Sequence, residues 1–135
     1  MSRDIQDVEG IGSTYARLLK DVGITTTTKF LEVCGSRKGR QDLADRTSLN
    51  EGNILKWVNM CDLFRINGVA GQFAELLEGS GVDTIKELRN RNAENLALKM
   101  GEVNGVKNLC KVTPSADVIE QWIDQAKGLE PIVTY

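Results

Sequence analysis

The chain has 135 residues, of which 41% are hydrophobic and 27% are charged, a composition typical of a soluble globular domain and not of a disordered segment. Histidine is absent, which removes the most common general base, the most common metal ligand and every nucleophile pair that depends on an imidazole. We therefore predict no catalytic residue, no metal site and no cofactor, and the net charge of −2 lacks the basic excess of a dedicated duplex-DNA binder.

The cysteines and the start of the chain bear on the cellular compartment. Cys34, Cys61 and Cys110 are odd in number, far apart and never arranged as Cys-x-x-Cys, so we interpret them as small buried residues in a reducing environment. The first residues lack the apolar core of a secretory signal, and no apolar run approaches the roughly 18 residues that span a bilayer. These features predict a cytoplasmic protein without membrane insertion.

An internal repeat organises the chain. When residues 8–26 are aligned with residues 66–84, their glycines, alanine, leucines and threonine coincide: Gly10 with Gly68, Ala16 with Ala74, Leu18 with Leu76, Leu19 with Leu77, Gly23 with Gly81, and Thr26 with Thr84. Residues 54–58 and 119–123 are also similar, but at a longer offset. The second copy therefore has about seven extra residues, which we place between Val103 and Pro114, where Gly105 and Pro114 indicate a loop.

In chain order, each copy is predicted to be helical. An apolar stripe with helical spacing follows the first glycine turn of each copy, formed by Tyr15, Leu18, Leu19 and Val22 and then by Phe73, Leu76 and Leu77. Gly23 and Gly81 suit a left-handed helix end, and Thr26 and Thr84 can cap the helices that follow. No stretch alternates with period two, so we predict an all-α fold in one compact domain.

Later stripes of the same spacing contain the two tryptophans. Trp57 and Trp122 occupy matching positions in these stripes, and we interpret both as core anchors of helices. Ser115 is a suitable cap for the last helix, and only the segment from Pro131 to Tyr135 looks extended.

The most specific motif is residues 8–19, with the sequence VEGIGSTYARLL. Its glycines permit a tight reversal, Ile11 between them fills the turn, and Ala16 permits close approach of two helices. This pattern resembles the helix-hairpin-helix family. The whole chain, including Gly39-Arg40 and both tryptophan helices, is similar to a bacterial family of tandem helix-hairpin-helix proteins described as a domain of unknown function, which implies an all-α fold and no established activity.

The resemblance divides the chain into two pseudo-repeated units with additional short helices. Residues 1–62 form the first helix-hairpin-helix repeat with its connecting helices, and residues 63–135 form the second repeat, the final helix and an extended C-terminal tail. In the superfamily, the hairpin amides and the following helix N-terminus commonly hold a DNA phosphate. The residues to which this role carries over are Gly10, Ile11, Gly12, Ser13 and Thr14 in the first hairpin, and Gly68, Val69 and Gly71 in the second.

The chain departs from that pattern at several positions. Ala70 stands where the first hairpin has Gly12, and Glu9 and Glu75 place negative charge near the two turns. No lysine or arginine lies between Glu9 and Tyr15. The glycines either only build the turns or also bind phosphate, and these departures favour the former reading.

Two further segments are candidates for binding. Arg37, Lys38 and Arg40 lie in a predicted loop before a helix that Ser36 can cap, and they form either a solvated loop or an anion contact. The tail residues Pro131, Ile132, Val133 and Tyr135 are stiff and apolar, so we predict that they dock on a surface. That surface is either a partner or the flank of the first hairpin, where Tyr15 and Leu19 are expected to be partly uncovered.

These features favour a non-enzymatic binding module whose partner is a protein, as a scaffold or assembly component of a larger complex. The repeat is asymmetric, because the Trp57 helix leads into the second hairpin whereas the Trp122 helix leads into no further hairpin. A repeat with an unmatched end either packs that end against its own chain or presents it as a surface to a partner. The alternative is weak, sequence-non-specific nucleic-acid binding through the first hairpin and the basic loop. The identity of the partner and the oligomeric state are left open.

Overall fold

Helices account for the secondary structure of the protein. The computed structural model describes residues 2–69 and 71–135, and the helices of these ranges are α1 Gly12–Asp21, α2 Thr27–Cys34, α3 Arg37–Thr47, α4 Glu51–Leu63, α5 Gly71–Gly79, α6 Ile85–Leu88, α7 Ala93–Lys107 and α8 Ala116–Lys127. A 3-10 turn at Ile5–Asp7 precedes α1. The predicted all-α fold class is confirmed, since the described residues contain no strand beyond an isolated bridge between Asp4 and Thr26.

Polar side chains determine where most of these helices begin. Six N-cap side chains accept a hydrogen bond from a backbone N–H group in the following turn, namely those of Thr26, Ser36, Asn50, Thr84, Asn92 and Ser115. The predicted caps are therefore confirmed. Gly23 and Gly81 lie just beyond α1 and α5 with φ of +88° and +92°, the left-handed conformation predicted for these helix ends.

Two local predictions are wrong. Gly105 lies inside α7 and does not mark a loop, because the helix continues to Lys107 and ends only where Asn108 takes a left-handed φ of 56°. The basic residues 37–40 do not form a loop either. The Ser36 cap starts α3 at Arg37, so these residues make up the first turn of that helix.

One hydrophobic core runs through both halves of the chain, which form a single compact domain. Helix α4 packs against α2, α3 and α5, while α7 packs against α5 and α8. Trp57 of α4 and Trp122 of α8 are 4% and 2% exposed, so both predicted core anchors are confirmed. Truncating either indole to alanine would cost about 3 to 5 kcal/mol of folding free energy.

A buried carboxylate connects α4 to α6. Asp62 is almost completely buried, and its Oδ2 accepts a 2.8 Å hydrogen bond from the backbone N–H of Ile85 at the start of α6. Its Oδ1 accepts a 2.9 Å bond from the guanidinium of Arg65. Both oxygens are thus compensated for the loss of water.

None of the helices in residues 2–69 and 71–135 combines the length and apolar character needed to cross a membrane.

Candidate functional site

Two glycine turns with closely similar geometry precede α1 and α5. Gly10 and Gly68 have φ of +91° and +95°, which L-residues with side chains rarely adopt. A Cβ at Gly10 would lie 3.4 Å from Nε1 of Trp57, and one at Gly68 would lie 3.1 Å from Nε1 of Trp122. Each turn therefore packs against the indole of a later helix, and both its conformation and this contact favour glycine.

The helix after each turn adds an aromatic ring to the same indole. The Tyr15 ring centroid lies 5.2 Å from that of Trp57 with the planes 49° apart, and the Phe73 centroid lies 5.5 Å from that of Trp122 with the planes 54° apart. Tilted pairs at this distance are favourable because the ring edges and faces carry opposite partial charge. The sequence alignment paired Tyr15 with Phe73 and Trp57 with Trp122, but it did not indicate that the rings meet.

The first turn leaves backbone donors at the surface. Ile11 is buried, as predicted, and supplies no side-chain cap to α1. The first N–H groups of a helix have no acceptor within the helix, and Gly12, Ser13 and Thr14 at this end are exposed. At the second turn Val69 is buried, and Ala70 lies outside the described residues.

The basic cluster splits into exposed and buried residues. Arg37 and Lys38 are exposed, whereas Arg40 is only 4% exposed. The Arg40 guanidinium donates hydrogen bonds to the backbone oxygens of Cys34, Gly35 and Thr134, at 3.1, 2.9 and 2.6 Å. The prediction of Arg40 as a solvent-facing anion contact is therefore wrong, because its donors are already held by carbonyl groups of the chain itself.

The C-terminal tail docks on its own chain. The backbone N–H of Thr134 donates to the Gly35 oxygen at 2.8 Å, and Val133 is buried, so Val133 is not available to a partner. A Cβ at Gly35 would lie 2.9 Å from Cγ2 of Ile132. Glycine at this position therefore leaves room for the tail, while Pro131 stays exposed.

The last residue extends this contact to α3 and α4. The Tyr135 ring lies 5.9 Å from the guanidinium carbon of Arg40, and its hydroxyl is 3.5 Å from Oδ1 of Asn59. Burial, with a smaller contribution from Asp83, raises the pKa of the Tyr135 phenol. The predicted docking on the first hairpin is wrong, because the tail lies against Gly35, Arg40 and Asn59 instead. On the hairpin flank, Leu19 is fully buried, whereas Tyr15 is 38% exposed, as expected.

A cleft of about 1100 Å³ lies beside the second glycine turn. Its walls are the turn with the start of α5, the C-terminal half of α7, and residues 108–113. Asn104 fixes the last wall, because its amide donates to the Cys110 oxygen and its oxygen accepts from the Cys110 N–H, both at 2.9 Å. The sequence did not indicate the cleft, although part of its wall lies between Val103 and Pro114, where the alignment predicted extra residues.

Exposed aliphatic side chains accompany this cleft. Val112 lines it and is 76% exposed, and Leu98 and Val106 of α7 are 70% and 86% exposed. Leu98 precedes the cleft-lining Gly101 by three residues and therefore lies on the same helix face, whereas Val106 follows the cleft-lining Gly105 directly and points away from that face.

Residues 9–129 match the model of a family described as a domain of unknown function, DUF4332. The chain belongs to this family. No curated protein and no solved structure matches it. The matched range of the DUF4332 domain includes both glycine turns, both tryptophans and every wall of the cleft, and it ends before Pro131.

The acidic and cysteine side chains of this DUF4332 domain are dispersed. Within residues 2–69 and 71–135, no three of them come close enough together to hold a metal ion. Burial raises the pKa of the Cys34 thiol to about 12 and raises that of the Cys61 thiol as well, so neither is a ready nucleophile at neutral pH. Burial, with a contribution from Glu75, also raises the pKa of the Cys110 thiol, which lines the cleft.

Proposed function

We propose that this DUF4332 protein is a non-enzymatic protein-interaction module, built from two helix-hairpin-helix units, that serves as a scaffold or assembly component of a larger complex. The observation that carries the proposal is the cleft, whose lining includes Phe73, Leu109 and the exposed Val112, with the exposed Leu98 beside it on α7. Scattered exposed apolar side chains are ordinary, but several around one concave surface are typical of a site that a partner covers.

The glycine turns support the two-unit part of the proposal. Gly10 packs against Trp57 as Gly68 packs against Trp122, and the two distances differ by only a few tenths of an ångström. We interpret these turns as two hairpins whose indole contacts fix their shape. The second unit differs from the first in the cleft wall at residues 108–113, so we assign the partner to the second unit.

The buried polar side chains support a structural and not a catalytic use of the interior. Arg40 binds three backbone oxygens, Asp62 binds the N–H of Ile85, and the Ser80 hydroxyl donates to the Leu76 oxygen at 2.8 Å. Groups engaged in this way stabilise helix ends and are not free to transfer protons to a substrate.

Affinity capture of the full chain at native expression level tests the proposal. Wild-type protein is compared by quantitative mass spectrometry with Val112→Asp and with Val118→Asp, a matched change at a partly exposed valine of α8 outside the cleft. We expect a protein that co-purifies with wild type and with Val118→Asp and is reduced at least tenfold with Val112→Asp. Equal recovery with all three forms, or no enriched protein, contradicts the proposal.

A second candidate function is weak nucleic-acid binding at the first hairpin. The specific observation in its favour is that α1 begins without a side-chain cap and that Gly12, Ser13 and Thr14 in its first turn are exposed, since helix N-termini of this kind commonly bind anions. Arg37 and Lys38 are the exposed cations of the basic cluster. Two phosphate contacts give a log–log salt slope of about −1.8 on duplex DNA, so a gel shift at low salt should vanish near physiological salt.

A further inference from the structure

We propose that the cleft beside the second glycine turn binds an amphipathic α-helix of a partner protein, with aliphatic side chains on its buried face and carboxylates along its edges. The inference rests on the proposed protein-interaction function and adds the surface and the chemistry of the partner. It follows from the glycines of α7, the apolar walls of the cleft and the local charge.

Two glycines of α7 are not required by the chain's own fold. Gly101 and Gly105 lie one helical turn apart and both line the cleft. A Cβ at either position would meet no atom within 4 Å, and neither glycine has a positive φ. Glycine inside a helix is less favourable than alanine, so this pair weakens α7 without relieving a clash or a strained backbone. What the pair provides is a bare stretch of helix that another backbone can approach closely.

The apolar walls of the cleft fit the side chains of such a helix. Phe73, held against Trp122, forms one side, and Leu109 and Val112 form another. Leu98 continues the Gly101–Gly105 face by one turn and is 70% exposed. The cleft volume of about 1100 Å³ compares with about 850 Å³ for two turns of helix treated as a cylinder 10 Å wide. A helix of two to three turns therefore fills the space.

The local charge predicts carboxylates on the partner. Residues 99–111 contain Lys99, Lys107 and Lys111 against one acid, Glu102, while the neighbouring helix α5 brings Glu75 near Cys110 and Glu78 near Lys107. Lys111 lines the cleft itself. A carboxylate flanking the apolar face of the partner helix would meet the Lys111 ammonium at the rim, where charge complementarity favours correct association. A nucleic-acid backbone would also meet the lysines, but it offers no aliphatic surface for Leu98 and Val112 to cover.

A titration of the ¹⁵N-labelled full chain, followed by NMR, tests the inference. The probe is a synthetic alanine-based helical peptide of about four turns with leucines at i, i+3, i+4 and i+7 and glutamates on both flanks. A second peptide has lysines in place of the glutamates. We expect shifts confined to residues 68–73 and 98–113, and affinity at least tenfold lower for the lysine peptide.

Substitutions in α7 separate binding from folding. The double variant Gly101→Leu, Gly105→Leu should melt no lower than wild type, because the added side chains enter open space, and it should bind the glutamate peptide at least tenfold more weakly. Asn95→Leu is the matched control, since it adds the same side chain at an exposed position of α7 outside the cleft lining. It should bind like wild type.

Three results would overturn the inference. The first is no shift with the glutamate peptide at concentrations up to about 1 mM, where even weak complexes are populated. The second is a set of shifts outside the cleft, which leaves the proposed protein-interaction function intact but assigns it another surface. The third is a stronger response of the cleft residues to a short DNA duplex than to the peptide. Failure of the capture experiment while the peptide still binds the cleft would instead count against the proposed function alone.

Discussion

Arg40 is expected to stabilise the fold by joining the C-terminal tail to the α2–α3 junction. Its guanidinium donates to the buried oxygens of Cys34 and Gly35 and to the oxygen of Thr134. Arg40→Ala removes all three bonds. Hydrogen bonds from a charged donor contribute about 1.5–3 kcal/mol each, and the Thr134 oxygen can return to water when the tail leaves. The two junction carbonyls therefore set the loss of folding free energy at about 3–6 kcal/mol.

Urea unfolding of the full chain measures this loss. For an m-value of about 2 kcal/mol per molar urea, the midpoint of Arg40→Ala should fall by about 2 M. Arg40→Lys keeps the charge but not the planar fork of donors, so we expect roughly half the loss. Arg37→Ala, one turn earlier in α3 and exposed, should stay within about 0.5 kcal/mol of wild type.

Hydrogen exchange at Thr134 separates tail docking from global stability. The Thr134 amide donates to the Gly35 oxygen in the docked tail, so it should be protected in wild type and in Arg37→Ala and should exchange rapidly in Arg40→Lys. An unchanged urea midpoint in Arg40→Ala, together with unchanged Thr134 protection in Arg40→Lys, would refute this account of the residue.

Three further outcomes are expected. Gly12→Ala should cost about 1 kcal/mol because its φ of +62° lies in the left-handed region. Gly10→Ala should cost more, because its φ of +91° lies farther from that minimum, and equal urea midpoints would argue against this reading of the turn. Tyr15→Phe leaves Tyr135 as the only tyrosine, and its tyrosinate absorbance should appear at a pH above the ordinary tyrosine pKa of about 10. The neutral phenol stabilises the fold fully at lower pH, and this stabilisation should be lost as the pH rises through the raised pKa. Titration at the ordinary pKa would mean that the ring is not docked. Iodoacetamide should alkylate Cys110 well before the two buried cysteines in the folded chain and all three in urea, and mass spectrometry showing equal rates before unfolding would contradict the burial.

The sequence by itself determined the helical fold and many helix boundaries. Capping acts within one turn, so Thr26, Thr84 and Ser115 could be identified as caps from their immediate neighbours. Apolar spacing along a helix is equally local, and it placed Trp57 and Trp122 in the core. The glycine pattern also located the two turns, because glycine tolerates the positive φ that Gly10 and Gly68 adopt.

Only the tertiary structure decided what the basic cluster and the tail do. Arg37, Lys38 and Arg40 are alike in sequence, but the acceptor that joins Arg40 to the tail is 94 residues away at Thr134, and no local pattern encodes that meeting. The cleft has the same origin, because its walls come from segments around residues 70, 100 and 110 that the packing of α5, α7 and α8 brings together. Local hydrogen bonds and apolar periodicity determine where the helices form. Burial and the shape of the cleft depend instead on which segments, distant in sequence, pack together and exclude water from their contact.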